Sequence, residues 1–233
     1  MMPIVAIIPS LNPDETLVKL VSDLIDIGFT DIILVDDGSS EESKHIFKEI
    51  SDKCILLEHT SNLGKGAGLK TAFKYYVENF DISNYKGVVT LDADGQHLPA
   101  DVLSCSNRLI GDKAELILGT RNFNESSVPF KSKYGNKLTT IIFWAFFHKK
   151  ILDTQTGLRV ISNSFLTKCL AIPGDRFEYE INVLIDAVKD NIIIKEEFIE
   201  TVYINSNRET HFNPLKDSLI IYREMFKAVW RKK

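Results

Sequence analysis

The chain has 233 residues, 44% hydrophobic and 26% charged, with 28 Lys+Arg against 32 Asp+Glu. This suits one globular domain and excludes a disordered tail, a collagen-like chain and a coiled coil. Cys54, Cys105 and Cys169 are odd in number and far apart, so they form neither a disulfide framework nor a CxxC metal site, and they point to a reducing compartment. The opening MMPIVAIIPS lacks a basic stretch and soon meets Pro9, unlike a signal peptide. No apolar run approaches the roughly 18 residues of a spanning helix.

The charge is uneven. Residues 1–120 hold 10 basic and 19 acidic side chains, whereas residues 121–233 hold 18 basic and 13 acidic. An acidic front suits a divalent metal, and a basic back suits phosphates or an anionic surface; chance clustering is the alternative.

In chain order, Ile4–Ile8 reads as a short strand, and Leu17, Leu20, Val21, Leu24 and Ile25 recur at helical spacing. Ile32–Val35 is a second strand, closed by Asp36-Asp37-Gly38, and Ile46 and Ile50 mark a second helix. Ile55–Leu57 is a third strand, followed by a helix through Leu69, Ala72, Phe73 and Tyr76. Gly87–Leu91 is a fourth; Leu103 and Ile110 mark another helix, and Leu116–Leu118 another strand. Short apolar strands separated by helices predict an α/β fold with a mostly parallel sheet. Ligands in such sheets bind at the carboxyl ends of the strands.

The second half is less regular. In Asn136–Lys150, Leu138, Ile141, Ile142, Ala145 and Phe146 share one stripe, with Phe143, Trp144 and Phe147 apolar on other sides. Leu215, Leu219, Tyr222, Phe226 and Val229 form a stripe near the end, beside Lys216, Arg223, Lys227, Arg231, Lys232 and Lys233. Each helix is read either as core packing or dimer contact, or as membrane-surface contact.

Polar clusters follow the strands. Asp92-Ala93-Asp94 places two carboxylates at a strand end, hard oxygen ligands suited to Mg²⁺ or Mn²⁺. Asp36-Asp37-Gly38-Ser39-Ser40 offers a carboxylate to a base or sugar hydroxyl, or is turn and capping chemistry. Asn62–Gly68 (NLGKGAG) opens a helix, as a phosphate cradle or as close loop packing; it is neither a Walker A loop nor GxGxxG.

Together, IPSLNPDE (8–15), VDDGSS (35–40), NLGKGAG (62–68), LDADGQHLP (91–99) and GTR (119–121) resemble the family 2 glycosyltransferases of GT-A fold. The closest likeness is to the branch of dolichyl- and polyprenyl-phosphate sugar synthases. DTQTGLR (153–159) resembles that branch's D-x-T-S-G-F-R segment, with Thr156 and Leu158 among its departures. RFEYE (176–180) and NRETHFNP (207–214) resemble its acceptor-side helix and its nucleotide-closing loop.

The resemblance implies one GT-A domain over 1–233, with a nucleotide-sugar half (1–120) and an acceptor half (121–233). Pro9, Leu11, Asn12, Glu15, Asp37, Lys65, Asp92, Ala93 and Asp94 are implied at the nucleotide-sugar site, with Asp37 reading the base. Asp92, Asp94 and His211 are implied as ligands of Mg²⁺ or Mn²⁺, although His211 also reads as a surface-loop histidine. His97 reads as a turn residue beside the site. Asp94, Arg121, Arg159 and Glu180 are implied in catalysis. The arginines, with Lys131 and Lys133, would hold a lipid phosphate, while Glu178 or Glu180 would be the base for a hydroxyl acceptor or a solvated helix face.

The implied reaction is inverting transfer of a sugar from a UDP- or GDP-sugar to a polyprenyl phosphate at the inner, cytoplasmic membrane surface. The alternative acceptor is a hydroxyl of a glycan or glycolipid in cell-surface polysaccharide synthesis. A homodimer is a further expectation, and nucleic acid is not an implied partner. A non-catalytic nucleotide-sugar binder has no use for the DAD motif, and a Rossmann oxidoreductase would need a dinucleotide fingerprint that is missing.

Overall fold

The computed structural model describes residues 2–123, 130–200 and 214–230, without the side chains of 130–134 and 214–217. The front half alternates strand and helix: β1 (Ile4–Ser10), α1 (Glu15–Asp26), β2 (Ile32–Asp36), α2 (Lys44–Ile50), β3 (Ile55–Glu58), α3 (Lys65–Asn79), β4 (Gly87–Thr90), α4 (Pro99–Gly111) and β5 (Leu116–Arg121). There follow α5 (Phe130–Phe147), β6 (Arg159–Ser162), α6 (Asn163–Cys169), α7 (Glu178–Lys189), β7 (Ile194–Ile199) and α8 (Pro214–Trp230).

Seven strands form one sheet in the order β3-β2-β1-β4-β6-β5-β7. All neighbours are parallel except β6, which runs antiparallel to both β4 and β5. Strand alternation divides the core in two. Val5, Ile7, Ile33 and Val35 face α3, α6 and α7, whereas Ile4, Ala6, Ile8, Ile32 and Leu34 face α1, α2 and α4. Chain order reverses where β1 lies between β2 and β4, so the loops after these strands open at a switch point of the kind that binds ligands in α/β sheets.

Helix faces differ from the apolar stripes. On α4 the buried residues are Val102, Cys105, Ser106 and Leu109, while Ile110 is exposed. On α5 the buried positions are Asn136, Thr139 and Phe143; Leu138, Ile141, Trp144 and Phe146 face outward. On α8, Ile221, Met225 and Ala228 are buried, and Leu219, Phe226, Val229 and Trp230 are exposed. The long apolar stripes of α5 and α8 are therefore outer surface rather than core.

Candidate active site

The carboxyl ends of β1, β2 and β4 lie side by side, with Ser10 opposite Asp36 and Ile7 opposite Thr90. Two loops here are stapled together. Asn12, at φ 49°, donates its backbone N–H to Ser39 Oγ at 2.8 Å, and its Oδ1 accepts from the Ser40 N–H at 2.8 Å. Asn tolerates this left-handed conformation better than most residues. Leu11 is half-buried beside it, and Pro9, next to last in β1, lies so close to α3 that a Cβ on Gly68 would meet the Pro9 Cβ at 3.3 Å. Glu15 is exposed in the first turn of α1, its Oε1 3.9 Å from His45 Nε2.

The Asp36-Asp37 pair divides its work. Asp36 is fully buried and binds Lys44 and the Ser39 N–H. Burial raises its carboxyl pKa, but the hydrogen bonds from Lys44 and Ser39 and the Lys44 charge outweigh this and leave it lowered. Asp37 reaches across to the Gly-rich loop: Oδ1 accepts from Leu63 N–H at 2.9 Å, and Oδ2 from Gly64 N–H at 2.8 Å. His59 Nδ1 lies 2.7 Å from Asp37 Oδ1, and its Nε2 lies 2.9 Å from Thr71 Oγ1. His59 was missing from the sequence-based set, because its position after β3 carries no motif of its own.

The glycines of the Gly-rich loop permit close approach to the chain before α7. A Cβ on Gly64 (φ 108°) would stand 2.4 Å from the Asp175 carbonyl oxygen, and one on Gly66 2.5 Å from the Tyr179 Cβ. The Ala67 N–H closes the contact by donating to Asp175 O at 2.9 Å. This packing delivers Lys65 between two acids, with Nζ 2.7 Å from Asp92 Oδ1 and 2.8 Å from Glu180 Oε2. Burial lowers the Lys65 pKa, but the charges and hydrogen bonds of the two carboxylates raise it well above the ordinary lysine value. Lys65 thus joins the loop after β4 to α7.

The DAD segment leaves the sheet after Leu91, and its Ala93 packs at the rim of the α1/α4 core. Gly157 lies against Asp92, where a Cβ would stand 2.2 Å from Oδ2. His97 is buried with Nε2 3.7 Å from Asp92 Oδ2, and neither ring nitrogen has a hydrogen-bond partner among the described residues. Burial raises the Asp92 carboxyl pKa, but Lys65 and His97 together hold it well below the usual carboxylate range. Asp94 stands in contrast. Its Oδ1 accepts from the Gln96 N–H at 3.1 Å, and burial and the Asp92 charge push its pKa up.

That difference tests whether a divalent metal fits. No group of three or more His, Cys, Asp or Glu among the described residues could hold an ion. Mg²⁺, however, needs only one or two carboxylates when substrate phosphates supply the remaining oxygens. Asp94 suits this role: burial and the Asp92 charge disfavour its ionised form, and it forms no ion pair among the described residues, so a bound cation would offset both. Asp92 is already engaged by Lys65. His211 lies outside the described residues.

On the acceptor side, Arg121 ends β5 and grips buried Asp153 through Nε at 2.6 Å and Nη2 at 2.9 Å. Asp153 is held in place by α5: Asn136 Nδ2 donates to Leu152 O at 2.8 Å, and Asn136 Oδ1 accepts from Thr154 N–H at 3.3 Å. Arg159, on β6, is buried and donates to Thr156 O at 3.0 Å and to Glu180 O at 2.6 Å; its Nη2 lacks a partner among the described residues. Glu178 serves the turn before α7, accepting from Asp175 N–H at 3.1 Å. Glu180 is linked twice, by its backbone oxygen to Arg159 and by its side chain to Lys65. The side chains of Lys131 and Lys133 are outside the described set.

The described elements thus gather Asp37, Lys65, Asp92, Asp94, Arg159 and Glu180 around the switch point, while Glu15 lies at the outer surface. Known proteins share this architecture. The Glycosyl transferase family 2 profile matches residues 5–170. UDP-N-acetylglucosamine–dolichyl-phosphate N-acetylglucosaminyltransferase of Methanococcus voltae is 31% identical, covering 93% of this chain and 92% of its own. Undecaprenyl-phosphate 4-deoxy-4-formamido-L-arabinose transferase of Enterobacter sp. (strain 638) is 23% identical over 75% of this chain and 59% of its own. The crystal structure of Mycobacterium tuberculosis glucosyl-3-phosphoglycerate synthase with Mn²⁺, uridine diphosphate and phosphoglyceric acid superposes with a TM-score of 0.71 at 16% identity, over 97% of this chain and 76% of its own. The chain belongs to glycosyl transferase family 2 and is a glycosyltransferase of GT-A fold, close to the polyprenyl-phosphate sugar transferases.

Proposed function

We propose that the enzyme transfers a sugar, with inversion, from a nucleotide diphosphate sugar to the phosphate of a polyprenyl phosphate. The observation that carries this reading is the engagement of Glu180. Its carboxylate, only 14% exposed, accepts from Lys65 at 2.8 Å. A hydroxyl acceptor needs a general base whose lone pair is available. A phosphate monoester arrives as an anion and needs none. Two relatives bear names that specify dolichyl phosphate and undecaprenyl phosphate, which supports the same acceptor class.

In this reading the donor's base and ribose lie over the stapled loops of Asn12 and Asp37, with Pro9 and Leu11 as the apolar floor. Asp37 both braces the Gly-rich loop and keeps the second lone pair of Oδ2 for the base. Asp94 would hold Mg²⁺ or Mn²⁺, which would supply positive charge to the departing diphosphate. Lys65 keeps Asp92 ionised and fixed beside Asp94 and restrains Glu180. A phosphate oxygen of the acceptor attacks the anomeric carbon from the face opposite the diphosphate. The new C–O bond forms as the old one breaks, and the leaving pair goes to the nucleoside diphosphate. Arg159, bonded to backbone oxygens rather than to a carboxylate, keeps a positive charge on the acceptor side that draws the lipid phosphate in, while Arg121 is paired with Asp153.

The test supplies labelled UDP- and GDP-sugars with undecaprenyl phosphate or a saccharide acceptor. An acid-labile lipid-linked sugar is expected; label entering only the saccharide would overturn the reading in favour of the hydroxyl acceptor. No helix of the described residues is long and apolar enough to cross a membrane, so a lipid substrate would be met at the membrane surface.

A further inference from the structure

The outward faces of α5 and α8 have no role in the chemistry above. The two helices pack together, with Phe146 against Phe226 at 6.5 Å between ring centroids and Thr139 Oγ1 3.3 Å from Tyr222 Oη. Around this seam Leu138, Ile141, Trp144, Leu219, Val229 and Trp230 are exposed, Leu219 by 70% and Trp230 by 75%. Soluble surfaces rarely gather so many large apolar side chains without a partner.

Charge identifies the occupant. Residues 130–150 and 214–233 together carry eleven Lys+Arg against two Asp+Glu, while the rest of the chain carries 17 against 30. Lys137, Lys149, Lys150, Arg223 and Lys227 are exposed on the two helices and the turn after α5. A second copy would bring one basic face against another, which is repulsive. An anionic lipid surface offers complementary charge and a medium for the apolar side chains, and tryptophan favours this interface.

We infer that the α5–α8 face docks this enzyme onto an anionic membrane, with Trp144, Leu219 and Trp230 entering the headgroup layer. The same helix that presents this face carries, on its inner side, Asn136, which holds the segment around Asp153 and through it Arg121. Docking would therefore set the acceptor side of the site against the lipid. The inference takes its purpose from the lipid-acceptor reading, but its test reads binding without turnover, so either can fail alone.

The chain has only two tryptophans, and both lie in this face, so intrinsic fluorescence reports on it alone. Vesicles of phosphatidylcholine with phosphatidylglycerol should shift the emission to the blue and carry the protein upward in flotation. Phosphatidylcholine alone, or high salt, should weaken binding about tenfold or more. Trp144→Glu/Leu219→Glu should abolish flotation and leave nucleotide-sugar binding intact. If that variant does not fold, Lys149→Glu/Lys150→Glu on the exposed turn should reduce binding in the same direction. Unchanged emission on anionic vesicles, equal binding to neutral ones, or a dimer in sedimentation that these substitutions dissolve would overturn the inference.

Discussion

Replacing Lys65 with Met keeps the length of the side chain and deletes the cation between Asp92 and Glu180. The Lys65 and Glu180 side chains are 16% and 14% exposed, so the stranded Glu180 charge cannot simply hydrate, whereas Asp92 is one-third exposed. Breaking a buried ion pair by removing one partner costs about 3–5 kcal/mol, and the exposure of Asp92 places this case near about 3. For a chain of this size that lowers Tm by about 6–12 °C.

The penalty also depends on pH. In the wild type Lys65 is the chief cause of the depressed Asp92 pKa, so the pair's stability is present above the unfolded carboxyl pKa of about 3.9 and is lost as pH falls below it. In the variant burial acts on Asp92 without its main opponent. Its folded pKa rises, and stability is then gained as pH falls from 7 towards 5. Denaturant titrations at both pH values should show the gap between the two proteins narrowing at pH 5. Glu180→Gln in the Lys65→Met background should restore about 1 kcal/mol or more by removing one stranded charge. A Lys65→Met protein within about 0.5 kcal/mol of wild type at pH 7, or a gap indifferent to pH, would refute the reasoning.

Asp94→Asn should abolish turnover and raise the Tm of the metal-free protein at neutral pH, because a carboxylate whose folded pKa is raised loses stability as pH rises through it. Chelation should stop the wild-type reaction, Mg²⁺ or Mn²⁺ should restore it, and either ion should raise the Tm of wild type but not of Asp94→Asn; an equal response in both would remove Asp94 from the metal. Gly157→Ala should lower kcat/KM about 10²-fold, since its Cβ would occupy the place of Asp92 Oδ2, 2.2 Å away. Gly111→Ala, where a Cβ meets nothing within 4 Å, is the control and should leave kcat/KM unchanged.

Much of the front half was legible because β1, β2 and β4 are buried on both faces and read as unbroken apolar runs. β6 and β7 were not. The former is four residues long, and the latter, IKEEFI, is an edge strand whose Lys195, Glu196 and Glu197 interrupt the apolar run. On α5 and α8 the period identified the helices but left their apolar stripes open between core or dimer packing and a membrane surface; the structure turns the stripes outward. The inner face of α5 uses Asn136 and Thr139, which satisfy backbone or side-chain partners, beside Phe143, while Leu138, Ile141, Trp144 and Phe146 face out. Periodicity ranks faces by apolarity and cannot see a polar residue with a buried partner. The Gly-rich motif likewise disclosed a basic residue at a helix start, but the meeting of Lys65 with Glu180 depends on α7, which is more than a hundred residues away in the chain.

The central claim is that the nucleophile brings its own negative charge. Rates with undecaprenyl phosphate and with undecaprenol, presented in the same detergent with one labelled nucleotide sugar, test it directly. The account predicts transfer to the phosphate and none to the alcohol, with Glu180→Gln retaining transfer. Equal use of the alcohol, or transfer that depends on the Glu180 carboxylate as a base, would contradict it.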